Sequence, residues 1–253
     1  MISKFYIDII MPVYNSEKYI QNTVKSVLNQ TYKYWRLIII DDASTDNTRQ
    51  ILYKLYRKHR NKKKIIILKN EVNKGQAFSR NLGLKYSKSK LVSFLDSDDF
   101  WAKNKLKNQI KFMMTNNYDF TYTDYKIIKN NKINTIKVPD YFNYKRFIRN
   151  SSINTCSIIL KKKIIKNIYF KNLRFSEDYF FKCQILKKNI NAYKCPGSYA
   201  YYLIRDGSLQ SNRFSVLISL WIINKNLNKM NFINNIISII FISFNSLKKY
   251  GFR

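Results

Sequence analysis

The stretch WRLIIIDDASTDNTRQILYKLYRK, residues 35–58, predicts a strand followed by a helix, the repeating unit of an α/β sheet. Residues 35–40 are a short run rich in β-branched side chains, which is typical of a buried strand. The acidic pair Asp41-Asp42 follows directly, and apolar residues then recur at helical spacing from Asp46 to Lys58. In parallel sheets ligands bind beyond the carboxyl ends of the strands, so this pair is a candidate binding element.

Similar units lie on both sides of this stretch. The sequence predicts further strands at residues 6–12, 65–68 and 91–95, and further helices at residues 17–28, 76–86 and 102–114. This alternation specifies an α/β/α sandwich with a mostly parallel central sheet. Beyond about residue 120 we expect short strands, a hairpin near residues 129–132 and a helix at residues 177–188. We predict one domain with halves at residues 1–125 and 126–211, and a helical appendage at residues 212–253.

The composition is strongly basic. The 253 residues carry a net charge of +32, which favours polyanionic partners such as nucleic acid, acidic lipids or phosphorylated substrates. Codon bias is an alternative, because Lys, Asn, Ile and Tyr are abundant throughout. The aromatic residues fall at core spacing rather than in an RNA-binding motif, so nucleic acid is a disfavoured partner.

Several features indicate a reducing, cytoplasmic location. The three cysteines form no CxxC pair and leave one unpaired under any disulfide scheme. Asp8 and Pro12 interrupt the pattern of a signal peptide, and no uncharged apolar run reaches the roughly 20 residues that span a bilayer. We therefore expect a soluble or peripheral protein.

The strongest chemical motif is FLDSDDFW, residues 94–101. The three carboxylates of Asp96, Asp98 and Asp99 repel one another unless a cation lies among them. Oxygen ligands suit Mg²⁺ or Mn²⁺, which usually bridge to substrate phosphates. The alternative is an acidic helix N-terminus, in which Asp98 or Asp99 caps the helix predicted from residue 102.

Three weaker motifs lie at other predicted loops. Asp42 ends a strand, where a carboxylate can accept the N3–H of uracil, whereas Ser44 to Asp46 provide capping groups for the next helix. MPVYN, residues 11–15, places an aromatic ring at the end of the first strand. FSEDYFF, residues 175–181, contains an isolated acidic pair in a basic half, a candidate for a catalytic base. A helix N-cap is the alternative for that pair.

Taken together, these motifs resemble the family 2 glycosyltransferases of the GT-A fold, especially bacterial enzymes of surface-polysaccharide synthesis. The resemblance extends from residue 7 to about residue 210. It rests on these segments in order: IDIIMPVYNSEKYI, VLNQTY, DDASTDNT, NKGQAFSRNLGL, FLDSDD, SEDYFF and YLIRDGSLQS.

The resemblance implies a role for each motif. The nucleotide-sugar donor would be bound by residues from four of these motifs: Pro12, Tyr14, Asn15, Asp42, Arg80, Asp96 and Asp98. Asp98 and Asp99 would hold Mn²⁺ or Mg²⁺, Asp178 would be the catalytic base, and Glu177 would bind the acceptor. Phe78-Ser79 replaces the family's commoner small residue plus Ala before Arg80, so the role of Arg80 stays open.

The implied activity is inverting, metal-dependent transfer of a sugar from a UDP-sugar to a saccharide acceptor, in particular a lipid-linked one. The rival interpretations are a basic nucleic-acid-binding protein and a catalytically silent partner subunit. Residues 1–125 would bind the nucleotide-sugar, and residues 126–211 would bind the acceptor.

The C-terminal segment has a wide apolar face between residues 232 and 247, basic residues around it and no acidic residue after Asp206. Such a helix is suited to lie on the anionic inner face of the cell membrane. The alternative is packing on the core or on a second subunit.

Overall fold

The protein was analysed as a computed structural model, which describes residues 4–58, 62–130, 132–204 and 213–250. The strands are β1 (Ile7–Val13), β2 (Trp35–Asp41), β3 (Ile65–Lys69), β4 (Leu91–Phe94), β5 (Phe100–Trp101), β6 (Phe120–Lys129), β7 (Lys132–Ile136), β8 (Tyr141–Phe142), β9 (Ile159–Lys161) and β10 (Ala192–Leu203). The α-helices are α1 (Ile20–Leu28), α2 (Thr48–Lys58), α3 (Gln76–Tyr86), α4 (Lys105–Thr115), α5 (Tyr144–Phe147), α6 (Glu177–Leu186), α7 (Arg213–Ile222) and α8 (Phe232–Tyr250). A π-helix, Ile223–Leu227, follows α7.

One sheet unites all these strands in the order β3-β2-β1-β4-β9-β6-β10-β5, with β7 beside β6 and β8 beside β10. Strands β3, β2, β1 and β4 run parallel, as do β6 and β10, while β9 joins the two groups by antiparallel pairing. Every residue of β1 is buried, as expected for a central strand with helices on both faces. The predicted α/β sandwich with C-terminal helices is confirmed.

The approach of α3 to the sheet depends on a glycine. A Cβ atom on Gly83 would overlap the side chain of Ile10 and lie 3.0 Å from the Cδ1 atom of Ile40. The absent side chain therefore lets α3 pack closely over β1 and β2, which fixes the position of its first turn above the strand ends.

The predicted helix at residues 102–114 begins later in the structure, at Lys105. Residues 100–101 instead form β5, and the amide of Ala102 donates to the carbonyl of Tyr199 at 2.8 Å. The N-cap of α4 is Asn104. The alternative that Asp98 or Asp99 caps this helix is therefore wrong.

The two C-terminal helices pack on the rest of the protein through part of their surface. Leu220 of α7, Ile223 of the π-helix and Ile242 of α8 are buried in the core. Within the ranges that the structure describes, no helix combines the length and the apolar character needed to cross a membrane. The YLIRDGSLQS motif runs beyond Ile204 into residues outside the described ranges.

Candidate active site

The loops that follow β1, β2 and β4 meet at one edge of the sheet. The hydroxyls of Ser16 and Ser97 are 2.6 Å apart, which joins the loop after β1 to the acidic loop after β4. Asn15 joins the loop after β1 to the loop after β2, because its side-chain oxygen accepts from the Thr45 amide at 2.8 Å. Pro12 is buried inside β1, whereas Tyr14 is exposed at its end.

Asp42 lies buried beneath the loop that leads into α3. One carboxylate oxygen accepts from the Asn70 side chain at 2.6 Å and from the Lys74 amide at 3.0 Å. The other accepts from the Gly75 amide at 2.7 Å. Asp42 thus fixes the entrance to α3, and the proposed contact with uracil would be an additional interaction at a carboxylate that already has three donors.

The acidic loop directs its carboxylates to different surroundings. Asp96 is partly exposed and accepts from Gln76 at 3.0 Å and from Arg80 at 2.7 Å. Asp98 is partly exposed, whereas Asp99 is fully buried. The oxygens of Asp99 accept from the Leu203 amide at 3.1 Å and from the Cys156 thiol at 2.8 Å.

The electrostatics of this loop fit a divalent cation. Burial, followed by the charges of Asp98 and Asp96, raises the pKa of Asp99 well above its usual range. A cation among these carboxylates would remove that repulsion. One ligand atom each from Asp96, Asp99 and Cys156 lies within 4.8 Å of the others, and the carboxylate oxygens are of the type that Mg²⁺ and Mn²⁺ prefer.

Cys156 is better suited to hold the loop than to bind such a cation. Burial, with the nearby charges of Asp96 and Asp99, raises the pKa of its thiol well above the usual value. The sulfur therefore keeps its proton, donates to Asp99 and accepts from the Asp96 amide at 3.4 Å.

Arg80 connects the two acidic motifs. Its guanidinium is buried, donates through Nη2 to Asp96 at 2.7 Å and through Nη1 to Glu177 at 2.9 Å, and lies over the ring of Phe170. Although burial opposes its charge, Asp96, Glu177 and Asp178 together raise the pKa of Arg80. The arginine is thus a permanent cation that holds the acidic loop beside the start of α6.

Asp178 lies in the first turn of α6 with 31% of its side chain exposed. Its Oδ2 atom accepts from Lys182 at 2.7 Å and from the Thr155 hydroxyl at 2.8 Å. Burial alone would raise its pKa, but Lys182 and Arg80 hold the pKa well below the usual range. Asp178 is therefore ionised and accessible at neutral pH. For Glu177, by contrast, burial and the neighbouring Asp178 raise the pKa despite Arg80.

The first two turns of α3 organise the whole site. The Gly75 amide before the helix binds Asp42, Gln76 binds Asp96, and Arg80, one turn later, binds both Asp96 and Glu177. The side chain of the next residue, Asn81, donates to the Phe170 carbonyl at 2.7 Å and accepts from its amide at 2.9 Å. Residues predicted separately from motifs distant in sequence therefore meet along one helix.

Sequence reasoning missed four residues that contact this group: Gln76, Thr155, Cys156 and Lys182. Lys182 follows Asp178 by four residues on a predicted helix, a spacing that signals an ion pair. No comparable pattern indicates Thr155 or Cys156, because they lie far in sequence from the acids that they contact. The roles predicted for the donor, metal and acceptor residues stay predictions.

A sheet whose parallel strands end at an acidic loop, with a second acidic pair beside that loop, is the arrangement of a GT-A glycosyltransferase. The chain belongs to glycosyl transferase family 2, whose model matches residues 8–201. The protein is therefore a glycosyltransferase.

Two bacterial relatives show the similarity along most of the chain. The Escherichia coli UDP-Glc:alpha-D-GlcNAc-diphosphoundecaprenol beta-1,3-glucosyltransferase WfgD is 37% identical over 219 residues, covering 86% of this chain and 84% of its own. The putative teichuronic acid biosynthesis glycosyltransferase TuaG of Bacillus subtilis is 32% identical over 229 residues, covering 89% and 90% of the two chains.

The fold is also similar to those of solved structures. Staphylococcus aureus TarS 1–349, crystallised with UDP-GlcNAc, gives a TM-score of 0.71 at 24% identity, covering 97% of this chain and 76% of the other. The mannosyltransferase PcManGT from Pyrobaculum calidifontis, in complex with GDP-Man and Mn²⁺, gives 0.70 at 14% identity, covering 99% and 77%.

Proposed function

We propose that this glycosyltransferase moves a sugar from a UDP-sugar to a saccharide carried on a lipid diphosphate, with inversion at the anomeric carbon. UDP-glucose is the first donor to test. Two Escherichia coli enzymes named for UDP-Glc and a diphosphoundecaprenol-linked acceptor are 37% and 38% identical to this chain. This similarity supports UDP-glucose as the donor and a lipid-diphosphate-linked saccharide as the acceptor. The product would serve the synthesis of a bacterial surface polysaccharide.

The bridge through Arg80 supports this function most directly. One buried guanidinium binds Asp96, in the loop expected to hold the donor, and Glu177, in the motif expected to hold the acceptor. Donor and acceptor bound at these motifs would therefore lie next to each other, with Asp178 adjacent to Glu177 and open to the acceptor.

The reaction would be a single displacement. The acceptor hydroxyl oxygen forms a bond to the anomeric carbon while the bond from that carbon to the UDP oxygen breaks, and UDP leaves. Asp178 takes the hydroxyl proton, because it is ionised and partly exposed beside Glu177. Its low pKa makes it a weak base, so the proton moves only as the hydroxyl oxygen bonds to the anomeric carbon and becomes acidic. Glu177, fixed by Arg80, would position the acceptor sugar.

Asp98 and Asp99 would hold Mn²⁺ or Mg²⁺ beside Asp96. The cation, when bound, supplies the positive charge that stabilises the departing diphosphate. Asp99 and Cys156 would keep the loop in place from beneath through their mutual hydrogen bond.

The experiment is transfer from radiolabelled UDP-glucose to a short-chain lipid diphosphate-linked saccharide, with the variant Asp178→Asn. We expect the variant to keep its donor affinity while turnover falls by about 10²-fold or more, because only the proton acceptor is lost. Donor affinity is measured by calorimetry, once with Mn²⁺ and once with EDTA, and we expect EDTA to weaken it.

Asp140→Asn is the matched control, since it makes the same change at a carboxylate that is 89% exposed and pairs with Lys194 of β10. Wild-type transfer by Asp178→Asn would show that Asp178 is not the base. Donor affinity that EDTA leaves unchanged would remove the role of the metal.

A further inference from the structure

The two C-terminal helices each expose a row of apolar side chains. On α8 the exposed residues lie four positions apart, with exposed fractions of 68% for Phe232, 36% for Ile236, 61% for Ile240 and 66% for Phe244. On α7, Phe214, Ile218 and Ile222 repeat the same spacing and are also exposed. The ring of Trp221, the residue before Ile222, lies 5.7 Å from the ring of Phe232, so the two rows meet at this point. We call these two rows the apolar face.

Apart from Ile242, the fully buried side chains of α8 are polar, whereas a helix on a globular protein usually buries its apolar residues. Asn235 donates to the Trp221 carbonyl at 3.1 Å, and Ser238 accepts from the buried side chain of Asn224 at 2.9 Å. Asn245 donates to the Arg149 carbonyl at 3.2 Å. These polar contacts fix the rotation of α8 about its own axis. The exposed apolar residues therefore face outward because specific hydrogen bonds hold the helix in this orientation.

The charges around the apolar face identify its partner. Lys225, Lys229 and Lys248 are exposed on the same segment, and the sequence contains no acidic residue after Asp206. A second copy of this chain would bring like charges together, whereas anionic lipid headgroups would neutralise them. We propose that the apolar face of α7 and α8 docks the protein on an anionic lipid membrane.

Helix α7 and the π-helix that follows it contact the start of α6, which carries Glu177 and Asp178. Ser219 of α7 donates to the Phe175 carbonyl at 3.0 Å, and the Tyr179 hydroxyl of α6 donates to Asn224 at 2.8 Å. Docking would therefore hold Asp178 at a fixed height above the lipid surface. This consequence rests on the proposed function, since it matters for an acceptor whose diphosphate is anchored in that surface.

The test is flotation of the full chain with vesicles of phosphatidylcholine containing phosphatidylglycerol, and with vesicles of phosphatidylcholine alone. We expect binding to the anionic vesicles that the double variant Ile240→Gln/Phe244→Gln weakens by about tenfold or more, because two inserted side chains are lost. Both residues are exposed, so the variant keeps its fold. The matched control is Val72→Gln/Ile133→Gln, which removes two similarly exposed apolar side chains elsewhere and should float like the wild type.

Equal flotation of the Ile240→Gln/Phe244→Gln variant and the wild type would overturn the proposal, and so would equal binding to both kinds of vesicle. Light scattering is run on the same samples. A wild-type dimer that this variant converts to a monomer would instead make the apolar face an interface between copies. Slow hydrolysis of UDP-glucose in Mn²⁺ separates the two proposals. A protein that floats as expected but turns over no UDP-sugar would support membrane docking and contradict the proposed function.

Discussion

Arg80 holds two acidic motifs together, because its buried guanidinium donates to both Asp96 and Glu177. Its motif places it near the donor, but Phe78-Ser79 departs from the family pattern and leaves its role open. The structure shows a buried cation between Asp96 and Glu177. No sequence pattern predicts this contact, because 97 residues separate Arg80 from Glu177 and folding alone brings them together.

Lys182 lowers the proton affinity of the Asp178 carboxylate. We expect Lys182→Met to raise the pKa of Asp178, because the variant removes the ammonium that donates to its carboxylate at 2.7 Å. The proposed role of Asp178 as base requires the ionised carboxylate, so the acidic limb of the pH profile of kcat/KM should move to higher pH. Steady-state kinetics across the acidic range measure the shift.

Thr155→Val removes a weaker donor to the same carboxylate and should move the limb in the same direction by less. Lys188→Met, on an exposed lysine just beyond α6, should leave the limb where it is. An unchanged limb in both Lys182→Met and Thr155→Val, with circular dichroism confirming the fold, would mean that another group governs the acidic limb.

Among the elements, α3 has the largest influence on the site. The sequence predicts a helix at residues 76–86, and the structure confirms these bounds for α3. Its function as the support for Asp42, Asp96 and Glu177 was not predictable, because that depends on how closely it approaches the sheet.

Gly83→Ala tests this approach. Alanine favours a helix over glycine by about 1 kcal/mol, but the added methyl group would overlap Ile10 and push α3 from the sheet. We expect a net loss of about 1–3 kcal/mol of unfolding free energy, typical of overpacking, and weaker UDP binding, since the first turn of α3 shifts. Chemical denaturation and calorimetry measure the two effects.

Lys85→Ala is the control, because it changes an exposed position of the same helix. If Gly83→Ala is as stable as Lys85→Ala and binds UDP normally, the close approach is not needed.

Helix starts were less predictable than helix existence. Apolar periodicity locates α1 and α4, yet both begin three residues after the predicted starts, at Ile20 and Lys105. In both cases the preceding residues are engaged elsewhere. The Glu17 amide donates to Asp46 at 3.1 Å, and the amide of Ala102 donates to Tyr199 of β10. Periodicity cannot detect such long-range bonds.

For the whole molecule, the sequence predicts an α/β/α sandwich with a mostly parallel sheet, because each strand–helix unit is local. The sandwich is confirmed, and the sheet is mixed: β3, β2, β1 and β4 run parallel, whereas β9 pairs antiparallel with β4 and β6. The sequence did not predict the order of β9, β6, β10 and β5, where residues distant in the chain pair. The sequence also left open whether the C-terminal segment packs on the core. The structure shows that the segment packs there through Leu220, Ile223 and Ile242 and through polar contacts of α8, while the apolar face stays exposed.

A chain ending at Arg213 should therefore lose stability. It would lack Leu220, Ile223 and Ile242, whose burial stabilises the fold by about 1.5–3 kcal/mol each. We expect the melting temperature to fall by about 5 °C or more in differential scanning fluorimetry. The Val72→Gln/Ile133→Gln variant should melt like the wild type. A truncated chain with an unchanged melting temperature would show that the C-terminal helices do not stabilise the core.

The shared guanidinium of Arg80 also has a thermodynamic consequence. Any factor by which a bound donor strengthens or weakens acceptor binding must equal the factor by which the acceptor alters donor binding, since both routes lead to the same ternary complex. Because Asp96 and Glu177 bind the same guanidinium, that factor would differ from one if a bound substrate drew either carboxylate toward itself. Arg80 would then couple the affinities of the two substrates, whichever of them binds first.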